Sequence, residues 1–243
     1  LMGLLLSFWA SRFLTRPISD IVGDVDMIAR GDLDHQIRSM DVREFSRLEQ
    51  SITLMIRRIR AATEEIQQRK TELSIAAEIQ QSFLPSRIPA IPGLDIAART
   101  LPVKEVGGDF YDIIPFSGAT GEEQRYGVLI ADVSGKGVPA ALFMALCRTI
   151  IRVTVKDSVN AADALFEANR SISADSVTGM FVSVFYGLIT EGISTITCVN
   201  AGHNPPVVFR NEGRQVSHLS EGGMVLGVDA SFRFEEEKTD LHP

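Results

Sequence analysis

The sequence predicts an α+β domain with antiparallel sheets, carried behind a dimeric helical segment. Three observations predict this. Apolar residues recur at spacings of 3 and 4 over residues 14–84, which is the period of a helix with a coiled-coil seam. At Pro85 that spacing gives way to short apolar runs of strand length punctuated by Gly and Pro. Two helical patterns are grouped between those runs, and adjacent strands follow late in the chain, an order that favours α+β. Of 243 residues, 45 % are apolar and 23 % charged, an ordinary globular composition that excludes wholesale disorder and a polytopic membrane protein. Lys plus Arg number 24 against 31 Asp plus Glu, for a net charge of −7. A general nucleic-acid binder needs a basic face, so no nucleic-acid partner is expected. The two cysteines, Cys147 and Cys198, argue against a disulfide scaffold or a thiolate zinc site and fit a reducing cytosol.

The elements follow in order. Residues 1–10, LMGLLLSFWA, fall short of the roughly 20 apolar residues of a membrane span and lack the charged start of a signal peptide. Trp9 suits a membrane interface, and Arg12 and Arg16 suit its cytoplasmic side. Residues 1–14 are therefore expected to end a transmembrane helix that begins before Leu1, with a buried N-terminal helix as the alternative. The expected location is the inner, cytoplasmic membrane, with the remainder of the chain in the cytoplasm. Leu14, Ile18, Ile21, Val25 and Ile28 form a first seam, which Gly31-Asp32 ends. A second seam runs Phe45, Leu48, Ile52, Met55, Ile59, Ala62, Ile66, Arg69, Leu73, Ala76, Gln80 and Phe83. Ten of its twelve positions are apolar, and no Pro or Gly interrupts residues 44–84. One helix cannot bury so long a stripe by itself, so a parallel coiled coil and hence a homodimer are expected. Arg69 and Gln80 break the seam, as polar residues that fix register or loosen a coil do. Arg57, Arg58 and Arg60 read as a solvated face.

Beyond Pro85, strands are expected at Leu94–Arg99, Phe110–Ile114, Tyr126–Ile130, Met180–Ile189, Ile193–Val199 and Val207–Arg210, with helices through Val138–Ile150 and Ala161–Ile172. Three segments bear on chemistry. In Val106–Asp112, two glycines precede Asp109 and let the backbone turn tightly, so the carboxylate can face a cleft; a solvated loop carboxylate is the plainer reading. In Val128–Pro139, an apolar strand runs into Asp132, and a glycine-rich turn leads to a helix with Pro139 near its first turn. A carboxylate at a strand end is placed to converge with others on a hard cation. The segment is not a P-loop, since Ile130 stands where its first Gly belongs and Gly137 where Ser or Thr belongs. In Val199–Pro206, His203 reads as part of a structural turn, with metal ligation or general-acid chemistry as the alternative. The other histidines, His35, His218 and His242, have no zinc-like spacing.

Residues 10–62 resemble a HAMP domain, on Arg16-Pro17-Ile18, Gly31-Asp32-Leu33 and a second helix from about Glu44. The acidic corner of that family departs here to Asp41-Val42-Arg43-Glu44-Phe45. The resemblance implies a four-helix parallel dimer that passes a signal from membrane to cytoplasm. Residues from about Ala77 onward resemble the SpoIIE-type branch of the metal-dependent PPM serine/threonine phosphatases. The supporting strings are Ala77–Pro85, Gly107–Asp112, Ala131–Ala141, Phe181–Tyr186, Asn200–Pro206 and Gly223–Val228. This resemblance implies a PPM-type α-β-β-α sandwich of two antiparallel sheets flanked by helices. It also implies two divalent ions, Mn2+ or Mg2+, that activate a water to attack a phosphoserine or phosphothreonine. No protein nucleophile is then needed, in keeping with the lack of a Ser-His-Asp or cysteine motif. Asp109 and Asp132 match the family's first two metal aspartates, and the Val133 backbone carbonyl matches a further ligand; Asp112 has no assigned metal role and at most supports the ligands.

The organisation so implied is a membrane-helix end at 1–14, a HAMP-like segment at 15–62, a coiled-coil linker at 63–84 and a SpoIIE-type phosphatase domain at 85–243. The usual substrate of such proteins is a phosphorylated regulatory protein of the STAS type. The family carries further metal aspartates in a Thr-Asp-Gly-type segment near its C-terminal end, whereas only Asp229 and Asp240 follow Val228 here. The phosphatase domain is therefore expected to be C-terminally incomplete, and this chain alone is expected to have little activity. The alternative is a non-catalytic dimeric module, a pseudophosphatase that binds a partner without turnover. A sensor kinase is disfavoured because no His occurs between His35 and His203. A cyclic-dinucleotide cyclase is disfavoured because Phe110 stands where its motif needs Glu.

Overall fold

In the computed structural model, which describes residues 2–3, 15–37, 43–101, 105–117, 124–176, 179–192, 194–210 and 215–241, the chain divides into two units, Leu1–Glu72 and Leu73–Pro243. The first unit holds helix α1 (Arg16–Ala29) and most of helix α2 (Arg43–Phe83). Helix α1 stops at Gly31, whose left-handed φ of 103° suits glycine and whose N–H donates to the Ile28 carbonyl at 2.9 Å. Ile21 of α1 and Ile56 of α2 are buried. Asp24 is buried as well, with its Oδ1 2.8 Å from His35 Nε2. Arg60 corrects the expectation of a wholly solvated arginine face. Its guanidinium donates to the Leu33 carbonyl and pairs with Asp34 at 2.6 Å, so it holds the connector; Arg57 and Arg58 are exposed. Seam residues Leu48, Met55, Ile59 and Ile66 are exposed, as is every residue of 61–70. Of the expected membrane-helix end at 1–14, only Met2 and Gly3 are described, and Asp41-Val42 of the corner lies outside the described residues.

In the second unit, a six-stranded sheet has the order β1 (Phe110–Ser117), β2 (Gln124–Val133), β3 (Val182–Thr190), β4 (Thr195–Ala201), β7 (Gly222–Gly223), with β8 (Glu237–Asp240) also paired to β4. All pairs are antiparallel except β4 with β7. A separate ribbon joins β5 (Val207–Arg210) to β6 (Gln215–His218). Helices α3 (Val138–Asp157) and α4 (Ala161–Asp175) pack Met144, Ile151, Leu165 and Ile172 with Phe110, Leu129, Tyr186 and Leu226 in the main core. Asn160 caps α4 by accepting the Asp163 N–H at 2.7 Å, the usual satisfaction of an orphan first-turn donor. A second core holds Ile91, Ile113, Phe185, Cys198 and Leu219, with Ile96 and Val208 packed against it. Helix α3 is long and apolar enough by composition to cross a membrane, but it buries Ala140, Phe143, Met144, Cys147, Ile151 and Val155 and is a core helix. Both cysteines are free and buried.

The α+β class with two sheets holds, and among the described residues the second sheet has two strands. Leu94–Arg99 is not a strand. Leu94 makes one bridge to Ile91 and the rest is irregular, with Ile96 packed by its side chain against the second core. β1 continues past Ile114 through Pro115 to Ser117, which an edge strand tolerates because Pro lacks only an outward donor.

Candidate metal centre

The register of β1 and β2 sets Phe110 opposite Ala131. One step further it sets Asp109 opposite Asp132, at the end of β2 that leads into the glycine-rich turn. That turn is pinned to the start of β3. The Ser134 N–H donates to the Phe181 carbonyl at 2.9 Å, and Ser134 Oγ accepts the Phe181 N–H at 2.9 Å. Gly135 and Gly137 take left-handed φ values of 93° and 73°, which turn the chain into α3.

Gly108 is required for a reason other than the tight turn expected from sequence. A Cβ on it would lie 2.9 Å from the Val133 carbonyl oxygen and 3.0 Å from Val133 Cβ. The loop bearing Asp109 thus rests directly on the backbone that follows Asp132. Asp109 is thereby brought together with Asp132 and the Val133 carbonyl, which lie far from it in sequence.

Among the described residues, no Lys or Arg pairs with Asp109 or Asp132. The Asp132 carboxyl is pushed up to about 6, by burial first and then by its hydrogen bond to Asp109 and the charge of Asp109. Like charges set opposite on neighbouring strands repel, and a proton or a cation relieves them. Two carboxylates and a carbonyl are hard oxygen donors of the kind that bind Mg2+ or Mn2+, so this cluster fits a divalent ion. Among the described residues no third His, Cys, Asp or Glu joins them. Asp229 is engaged in a turn, its Oδ1 accepting from Ser231 N–H and Oγ at 2.9 and 2.6 Å, and Asp240 ends β8.

The pair opens into a cavity of about 430 Å³, whose lining includes Gln80, Arg99 and Lys136. An adjoining cavity of about 590 Å³ shares Asp109, Asp132 and Arg99 and adds His203. His203 belongs to a turn, as read from sequence, since its N–H donates to Asn200 Oδ1 at 2.8 Å. It also faces the site. Its Nδ1 lies 3.0 Å from Ser183 Oγ, and that hydroxyl donates to the Asp132 carbonyl at 3.3 Å. Burial holds the imidazole below its usual pKa, so the ring is neutral near pH 7.

Asp112 takes another course. It is fully buried, with Arg152 Nη1 at 2.7 and 2.6 Å from its two oxygens and Arg148 Nη2 at 3.0 Å. Sequence reasoning missed this cluster, as well as Gln80, Arg99 and Lys136 in the cavity. Polar seam residue Gln80 carried the one signal that could have been followed.

A largely antiparallel sheet with helices on one face and carboxylates converging at a strand end defines a PP2C-like fold. The SiaA-PP2C domain of Pseudomonas aeruginosa shares it, with a TM-score of 0.54 and 21 % identity over 75 % of this chain and 70 % of that one. The chain belongs to the SpoIIE family, described as Stage II sporulation protein E, whose family model matches residues 122–243; residues 9–61 match the HAMP domain. Among curated relatives, phosphoserine phosphatase RsbU of Bacillus subtilis (strain 168) is 28 % identical over 180 residues, covering 72 % of this chain and 52 % of RsbU. Protein IcfG of Synechocystis sp. is 28 % identical over 263 residues, covering 94 % of this chain and 40 % of IcfG. The chain spans about half or less of the length of these relatives.

Proposed function

We propose that the protein is a signalling phosphatase that removes phosphate from phosphoserine or phosphothreonine of a regulatory protein of the STAS class. In this reading it depends on a divalent cation and is regulated through its HAMP segment at the cytoplasmic face of a membrane. The observation that carries the reading is the opposed Asp109–Asp132 pair, a concentration of negative charge with which no Lys or Arg pairs among the described residues. Asp109, Asp132 and the Val133 carbonyl would hold the ion. Bound there, Mn2+ or Mg2+ would supply acidity to a water and offset charge on the phosphoryl group. Arg99 and Lys136 supply positive charge in the same cavity and would orient the phosphate. RsbU is a phosphoserine phosphatase, which supports the reaction class.

Titration of the chain with Mn2+ tests this reading. Binding is expected, and Asp132→Asn is expected to weaken it by a factor of about 100. Equal binding by the variant would refute the site. In the whole protein the same substitution is expected to stop phosphate release from a phosphoserine peptide.

A second reading, a dimeric partner-binding module without turnover, is favoured by the lack of a third carboxylate at the pair among the described residues. Cation binding without phosphate release by the whole protein would select it. Both readings use a homodimer, supported by the exposed seam of Leu48, Met55, Ile59 and Ile66. Ile59→Asp with Ile66→Asp is expected to give a monomer by light scattering; a persistent dimer would place the interface elsewhere.

A further inference from the structure

Two polar residues interrupt the seam of α2, and their surroundings differ. Arg69 is exposed and pairs with Glu65 at 2.6 Å, within the helix. Gln80 is half-buried and reaches out of the helix to the backbone of Gly107. Its Nε2 donates to the Gly107 carbonyl at 2.6 Å, and its Oε1 accepts the Gly107 N–H at 3.1 Å. A side-chain amide presents one donor and one acceptor side by side, so it pairs with a backbone amide as another strand would. Leucine at this seam position would make neither bond.

The clamped residue is informative. Gly107 precedes Gly108, which lies against Val133 too closely for a side chain, and stands two residues before Asp109. The loop is thus held from β2 on one side and from α2 on the other. Gln80 and its neighbours Ala77 and Leu84 also line the cavity into which Asp109 and Asp132 open. Loss of the Gln80 amide removes both bonds that hold Gly107, two residues before the Asp109 carboxylate. Ligand geometry must be held within about half an ångström for tight binding, so a small movement suffices.

We infer that Gln80 is a positioning residue that sets the divalent-cation affinity of the Asp109–Asp132 pair. The inference rests on the cation reading above.

The test uses the full chain and Mn2+ alone. Gln80→Leu keeps the side-chain bulk and restores the apolar seam. It is expected to weaken Mn2+ binding at least tenfold by calorimetry, with helix content unchanged. In the metal-free chain, hydrogen exchange at the Gly107 amide is expected to accelerate, because its acceptor is gone. A purely structural clamp would lower the unfolding temperature and leave the affinity of the folded variant within twofold of the original, which would overturn the inference. Should Gln80→Leu fail to fold, Gln80→Glu serves. It keeps the bond from the Gly107 N–H, sets a carboxylate against the Gly107 carbonyl, and is judged by the same affinity criterion. Weakened Mn2+ binding in Asp132→Asn with unchanged binding in the Gln80 variants would remove the inference and leave the cation site standing. Absence of Mn2+ binding by the unmodified chain would remove both.

Discussion

Asp109 and Asp112 are three residues apart and meet opposite fates. Asp112 is withdrawn from water and met by Arg148 and Arg152, all its charge answered by the chain itself. Asp109 is exposed and faces a second carboxylate, Asp132, whose proton affinity is raised by burial first and then by this neighbour. The first arrangement is complete once the protein folds. The second is not, since folding brings two like charges together. A carboxylate supplied with its own cations is a structural part, and a pair left to repel is where the proposed cation from solution would bind.

The comparison can be broken at several points. The largest effect is expected at Asp112→Asn, which leaves two half-buried guanidinium groups facing a neutral amide; about 3 kcal/mol of stability should be lost. Urea denaturation measures it, and Mn2+ affinity of the folded fraction should stay unchanged. If that affinity falls in step with stability, the two carboxylate sites are not separate. Asp132→Asn should have the opposite profile. Mn2+ binding should weaken by a factor of about 100, or about 2.7 kcal/mol, while the metal-free chain becomes more stable because the repulsion is gone. A metal-free variant less stable than the original would contradict the repulsion.

Gly108→Ala should cost about 1–3 kcal/mol by overpacking against Val133, and it should weaken Mn2+ binding because the loop must lift off β2. Normal affinity in that variant would show that the close contact does not shape the site. The smallest effect is expected from pH. With Asp132 near 6, lowering the pH from 7 to 5 should weaken Mn2+ binding about tenfold, as a proton competes for the site. The sign for stability is the reverse. A carboxyl whose folded pKa is raised contributes stability that is complete below the unfolded value near 3.8 and is lost as pH rises through about 6. The metal-free chain should thus gain stability from this group on acidification over that window, and Asp132→Asn should flatten the gain.

Much of the site was legible because its residues sit in short local patterns. An apolar run ending in Asp132 and two glycines before Asp109 are visible in sequence, and strand pairing then joins them. The cluster at Asp112 was illegible because its partners lie 36 and 40 residues away, on a helix face that reads simply as amphipathic. Gln80 was read as a register break, and its real partner is a backbone amide, which has no sequence signature. The short strands β6, β7 and β8 were also hidden. Glu237–Asp240 is wholly polar, and its strand form comes from pairing with β4. Conversely, Leu94 and Ile96 alternate like a strand, yet Ile96 lies outside any strand and packs against the second core.

Burial pushes the thiols of both Cys147 and Cys198 up to about 12. At pH 7 the reactive thiolate of each is then a fraction on the order of one in 100,000. Maleimides, spin-label reagents and mild peroxide should pass both by while the fold is intact. A cysteine introduced on the surface of α2 would be the one thiol that labels, so distances along that helix can be followed without first removing the native pair.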